Sequence, residues 1–207
     1  MPVTEFAIIS LRSGYDELDF LETLMQCQEI QDAWTRAHHP YNLEPNTNLS
    51  SMYIERSDPP SLLISAPWDS IEAHGEWIQT SENQACNAKI SGFIKPGCEA
   101  VLLRHLNPAG KELQLRKAFL EKDSFNVARI TAGEGKKEKL QEMYEELESG
   151  QAVKEADQRL WAGWRIEELD GREELVVFWT DEVPDEKVRM LMEMGDETER
   201  KRFTHVV

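Results

Sequence analysis

His74 is the side chain in this 207-residue sequence best placed to do chemistry. It follows Ile71 by three residues and precedes Ile78 by four, so on a helix the three share one face. A histidine among apolar neighbours can take or give a proton near neutral pH. The same spacing also suits a buried histidine bonded to backbone. Aromatic residues are the second resource. Trp68, Trp77, Trp161, Trp164 and Trp179, with Phe6 and Phe125, could wall a flat apolar pocket for a planar substrate. Ordinary core packing is the competing use.

Other candidates carry less. His38 and His39 stand side by side before Pro40. Adjacent residues rarely face one metal ion together, so a helix C-terminal charge effect is the simpler reading. Gly133-Glu134-Gly135 lacks the third glycine of a dinucleotide loop, and no Gly-x-Ser-x-Gly elbow occurs. No resident cofactor or metal is expected. The three cysteines, Cys27, Cys86 and Cys98, form neither a CxxC pair nor a disulfide framework. A reducing, cytoplasmic setting is the expectation.

Bulk composition narrows the partners. The net charge of −16 repels phosphate backbones and anionic membrane surfaces, so nucleic acid and membrane are poor partners. No run of about 18 apolar residues exists to span a bilayer. With 40% hydrophobic and 30% charged residues, the chain can build a sizeable core.

The elements that would position these residues come in a recurring order. Glu5 to Gly14 reads as a strand apolar on both faces. Asp16 then caps a helix carrying Leu18, Leu21, Met25 and Ile30, which ends near His39. Leu49–Arg56 and Ser61–Ala66 are strands on either side of Asp58-Pro59-Pro60. Asp69 or Ser70 caps a second helix, carrying His74 and Trp77 and fading near Ile90. Cys98–Leu106 is a fourth strand, which completes β-α-β-β-α-β.

A shift of about 119 positions lays the second half on the first. Phe6 falls on Phe125, Ile8 on Val127, Leu11 on Ile130 and Gly14 on Gly133. A helix over Lys136–Glu148 follows, then strands over Leu160–Leu169 and Glu174–Trp179 about an Asp170-Gly171 turn. A helix over Pro184–Met194 and a strand over Arg202–Val207 close the second copy, with Trp179 matched to Trp68. The organisation expected is therefore a module over 1–107, a linker over 108–122 and a second module over 123–207.

Each β-α-β-β-α-β module forms an antiparallel sheet with both helices on one face. Its other face is apolar and must be covered. The expected fold class is α+β: two ferredoxin-like modules packed sheet to sheet as an intramolecular pseudo-dimeric α/β barrel. The unit would exist as a monomeric pseudo-dimer or a homodimer of it.

The stretch Trp68-Asp69-Ser70-Ile71-Glu72-Ala73-His74, after a strand ending in Leu-Leu-Ile-Ser, resembles the dimeric α/β-barrel superfamily. That group includes antibiotic-biosynthesis monooxygenase-like and stress-responsive barrel proteins, and the likeness covers most of the chain as two tandem copies. It implies a cofactor-independent enzyme of cyclase, isomerase or monooxygenase type acting on a hydrophobic aromatic or polyketide-like small molecule. In similar polyketide cyclases a His on this helix and a Tyr act as base and acid. The resemblance thus implies His74 and Tyr53 as the catalytic pair, with Trp68, Trp77, Phe6 and Trp164 against the substrate. The second copy keeps Trp179 but has no His from Thr180 to Lys187. A non-catalytic ligand-binding or stress-responsive barrel is the alternative. Haem binding is a further one, weakened because Ile78, not His, stands ten residues after Trp68.

Overall fold

The alternation of apolar residues in the first strand settles which side chains meet the helices. In a computed structural model, residues 1–39, 49–97, 100–111, 115, 119, 124–133, 135–150 and 160–207 are described. Cys98 lies outside them, as does much of the expected linker. Strand β1 spans Val3–Ser10 and helix α1 spans Glu17–His38. Strands β2 (Ser51–Glu55) and β3 (Ser61–Trp68) follow. Next come α2 (Ile71–Ile78), α3 (Ser81–Ser91) and β4 (Val101–Pro108). The second series is β5 (Ser124–Ala132), α4 (Lys137–Ser149), β6 (Leu160–Arg165), β7 (Glu173–Thr180), α5 (Asp185–Met194) and β8 (Glu197–His205).

This is the α+β fold expected, two β-α-β-β-α-β series. Within the first unit the hydrogen-bonded strand order is β1-β3-β2, and within the second it is β8-β5-β7-β6-β4. The chain divides into two compact units, residues 1–103 with 205–207 and residues 104–204.

In the first unit β3 lies between β1 and β2, both antiparallel to it. Val3, Ile9 and Leu11 of the first strand region join Met52, Ile54, Leu62, Ala66 and Trp68 in cores shared with the helices. Phe6, Ile8, Tyr53 and Leu63 alternate with these residues, so they occupy the sheet face away from the helices. Asp16 caps α1 as expected, its Oδ1 accepting from the amides of Leu18 and Asp19 at 3.0 Å. Val206 donates to the Met52 carbonyl and Met52 to that of Val207, so the last residues extend this sheet.

The single helix expected after Ser70 is two helices. Ser70 Oγ caps α2 through the Ala73 amide. Thr80 then adopts an extended backbone and its Oγ1 accepts from Asn83 N at 3.0 Å, which starts α3 afresh.

In the second unit β5 lies between β7 and β8, and β6 lies between β7 and the end of β4. Leu140, Tyr144 and Leu147 of α4 and Val188 and Leu191 of α5 cover Ala128, Ile130, Leu160, Ala162, Trp164, Leu175, Val177 and Trp179. The Asp170-Gly171 turn takes positive φ at both residues, 45° and 75°, as a tight hairpin turn requires.

Two details of the repeat differ from the sequence match. The left-handed glycine before α4 is Gly135 (φ 82°), the counterpart of Gly14 (φ 75°), rather than Gly133. Trp68 stands opposite Val3, whereas Trp179 stands opposite Asn126, which the shift of about 119 matches to Ala7 rather than to Val3. Their hydrogen bonds differ too: Trp179 Nε1–H donates to Asp185 Oδ1 at 3.4 Å, and Trp68 Nε1–H donates to Glu5 Oε2 at 2.9 Å. The two tryptophans are therefore not structural equivalents.

Gly163 is a point of close approach between packed segments in the second unit. A Cβ there would stand 2.8 Å from both Leu106 Cβ and Trp161 Cη2. Gly163→Ala is expected to cost about 1–3 kcal/mol of stability through overpacking. Urea denaturation measures it, and an unchanged midpoint would contradict the packing described.

Candidate functional site

Glu5 is a charged residue inside a strand buried on both faces. The parity of β1 turns it toward the helices, opposite Ala66 of β3. A carboxylate there must find donors, because burying a charge without partners is costly. Trp68, two residues on from Ala66 and on the same face, supplies one. Its Nε1–H donates to Glu5 Oε2 at 2.9 Å.

His74 approaches the same oxygen. Ser70 fixes the first turn of α2, and one turn later His74 projects back over the end of β3. Its ring stacks on Trp68, with centroids 4.6 Å apart and planes 13° apart. Its Nε2 lies 3.5 Å from Glu5 Oε2. Only 3% of the His74 surface is exposed and 7% of that of Glu5. His74 is inward as expected, but the face it was expected to share is not: Ile71 and Ile78 are exposed, and the buried face of α2 is Ala73, His74 and Trp77.

Around this trio Val3, Ala66, Trp68, Ala73 and Trp77 form one apolar cluster, against which Ile30 and Trp34 of α1 pack. Trp34 centres lie 5.5 Å from Trp77 and 6.5 Å from Trp68. At the end of α1, His38 stacks on Trp34 at 4.4 Å. His39 stands 3.7 Å from both Asp69 and Glu76. Chemically the arrangement is a carboxylate, an imidazole and an indole sharing one oxygen, walled by three tryptophans. Among the described residues, no group of three or more His, Cys, Asp or Glu side chains could hold a metal ion.

The remaining expected site residues are elsewhere. Tyr53 is on the opposite face of the sheet, so the structure does not bring it to His74. The reason is the period of two: Met52 and Ile54 enter the helix-side core, which turns Tyr53 away. The aromatic partner of Tyr53 is His205, edge-on at 5.4 Å. Burial raises its phenol pKa well above the usual value, against a smaller lowering by a hydrogen bond with Ser51. Phe6 shares that far face. Trp164 lies in the second unit, where Nε1–H donates to Gln141 Oε1 at 2.6 Å. Trp68 and Trp77 alone of the expected substrate wall accompany His74.

Glu5 and Trp34 were not among the residues the sequence singled out. The signal for Glu5 was available: a lone acid inside a strand apolar on both faces needs a partner. Cys27 and Cys86 are buried free thiols, Cys27 Sγ lying 3.9 Å from the Cys86 carbonyl oxygen. Burial, with the nearby Cys86, pushes the Cys27 thiol up to about 12, so it stays protonated and unreactive.

No family model and no curated protein matches the sequence. Solved structures do match its fold. A protein of Fusobacterium nucleatum named as a putative monooxygenase aligns with a TM-score of 0.64 at 8% identity, covering 100% of this chain and 93% of that one. A second so named, from Lactobacillus acidophilus, aligns at 0.63 and 8% identity over 100% and 94%. An anthrone oxidase-like protein aligns at 0.58 and 13% identity over 100% and 92%. These likenesses show a shared α+β fold over the length of the chain. No helix among the described residues is long and apolar enough to cross a membrane.

Trp68→Phe keeps the ring stack but removes the donor to Glu5. Leaving the buried carboxylate short of a partner is expected to cost about 1–3 kcal/mol in urea denaturation. Trp77→Phe serves as the comparison, and equal losses would show that Trp68 acts through packing alone.

Proposed function

We propose that the first unit is an enzyme of monooxygenase type that acts on a hydrophobic aromatic small molecule without a resident cofactor. The observation that carries this reading is the buried His74 ring held between the Trp68 face and the Glu5 carboxylate. Glu5 favours the proton on Nε2, which puts the lone pair of the neutral ring on Nδ1. A base oriented in this way can take a proton from an activated carbon or phenol of the substrate. The resulting anion is itself the reductant: it reacts with dioxygen, one oxygen atom enters the product and the other leaves as water. Glu5 then steadies the imidazolium formed, a positioning and electrostatic role. Trp34, Trp68 and Trp77 offer flat apolar surface to a planar ring. The likeness in fold to an anthrone oxidase-like protein makes anthrones the first substrates to try.

The pair first expected, His74 with Tyr53, gives way here to His74 with Glu5, because Tyr53 faces the other way. A second reading is a non-catalytic ligand-binding module. The near-complete burial of His74 and Glu5 favours it, since a buried polar trio of this kind can serve as part of a packed core.

The two readings separate in one assay, oxygen uptake with an anthrone under air. His74→Ala is expected to lower kcat by about 10²–10⁴-fold, the usual contribution of a general base. Glu5→Gln is expected to lower it less. Turnover by His74→Ala equal to that of the unaltered protein would remove the proposed mechanism.

A further inference from the structure

One side chain, His39, joins the end of α1 to both ends of α2. Its backbone N–H donates to the Thr35 carbonyl at 2.8 Å and closes α1. Its ring stands between two carboxylates, Nδ1 at 3.7 Å from Asp69 Oδ2 and Nε2 at 3.7 Å from Glu76 Oε2. Asp69 directly precedes Ser70, the cap of α2, and Glu76 lies in the last turn of that helix. His74 of the candidate site falls between them in the chain.

Both separations exceed hydrogen-bond length, and Nε2 is buried without a hydrogen-bond partner. A neutral imidazole has one N–H and one lone pair. Set between two carboxylates, it must turn the lone pair on one of them. The imidazolium has two N–H groups and can serve both. The geometry at His39 is therefore complete in one protonation state and half unmade in the other.

The surroundings also suit a cation. The last carbonyls of a helix carry partial negative charge, and His39 sits on those of α1. The Trp34 ring centre is 5.4 Å from that of His39, within cation–π reach. Against this stand Arg36 in the last turn of α1 and His38, which stacks on Trp34. On α2, His74 turns to Glu5 of β1 rather than to His39. The first turns of α2 and α3 add the exposed acids Glu72 and Glu82.

We propose that His39 is a proton-operated brace on the His74 site. Protonated, it ties the end of α1 to Asp69 and Glu76 and holds α2, with His74 and Trp77, against α1. Deprotonated, it lets one carboxylate go, and α2 loosens. The tie needs a charged imidazole and ionised carboxylates, so it is present from about pH 5 and is lost as the pH rises through the histidine range toward about pH 8. The brace goes beyond the oxygenase reading and does not need it, because it controls the hold on α2 and not a step in turnover.

Hydrogen exchange of the α2 amides in the full chain tests it, at about pH 6 and about pH 8, either side of the usual histidine midpoint. Each rate is divided by that of the unstructured chain at the same pH. The ratio of protection at the lower pH to that at the higher is the quantity read. His39→Gln carries no charge at either pH and is expected to lower this ratio about two- to fivefold, the size of a modest ion pair. The share of His74 stays in that variant, so the part removed belongs to His39. Glu76→Gln is expected to remove part of the same effect, and Glu72→Gln, one turn earlier on α2, none of it. An unchanged ratio in His39→Gln overturns the proposal. So does an unchanged ratio in Glu76→Gln, an exposed position that decides the matter should His39→Gln not fold. Equal lowering by Glu72→Gln and Glu76→Gln overturns it as well, since a general charge effect on α2 would then be at work.

Discussion

A β-strand sends successive side chains to opposite faces, and in β1 that rule separates Glu5 from Phe6. Everything at the candidate site depends on this separation. Glu5 goes to the helix side, where it would be an isolated charge if nothing met it. The indole N–H of Trp68 and the ring of His74 meet it there. The same rule in β2 sends Met52 and Ile54 to the helices and Tyr53 away from them. No adjustment of side-chain rotamers could bring Tyr53 to His74 without slipping the strand by one residue, and such a slip would expel Met52 and Ile54 from the core.

The trio shows how a polar group can sit in an apolar core. Three tryptophans, Val3 and Ala66 exclude water, which strengthens each hydrogen bond inside and raises the cost of losing one. Stability and chemistry then draw on the same contacts. A residue that orients an imidazole also satisfies a buried acid, and Trp68 contributes apolar surface to the core as well as its N–H. Ser70 and Thr80 contribute at a distance: one starts α2 so that His74 faces inward, and the other ends its run so that α3 can turn.

The second unit repeats the fold and not the site. Its helix-side core is mostly apolar, with Trp164 and Trp179 donating their indole N–H groups to Gln141 and Asp185 at its margin. On the other face Arg129 pairs with Glu174 and Glu199. A duplicated scaffold thus places its buried polar groups differently in its two copies, because the fold requires apolar residues only where helices and strands interlock.

Periodicity, caps and turn residues made the element order readable. The alternating first strand, Asp16 before α1, Ser70 before α2 and Asp170-Gly171 between β6 and β7 are local signals, and each element formed where its signal stood. The inward face of His74 was only partly legible: its spacing from Ile71 and Ile78 suggested one apolar face, but both isoleucines point to solvent and His74 is buried with Ala73 and Trp77 instead. Its partner was not legible. Whether Glu5 or Tyr53 meets His74 depends on which sheet face the helices cover and on how β1 and β3 align, and pairing between segments some sixty residues apart has no local signature. The matching of Trp179 to Trp68 failed on the same ground, because strand register is set by packing across the whole sheet rather than by resemblance along the chain.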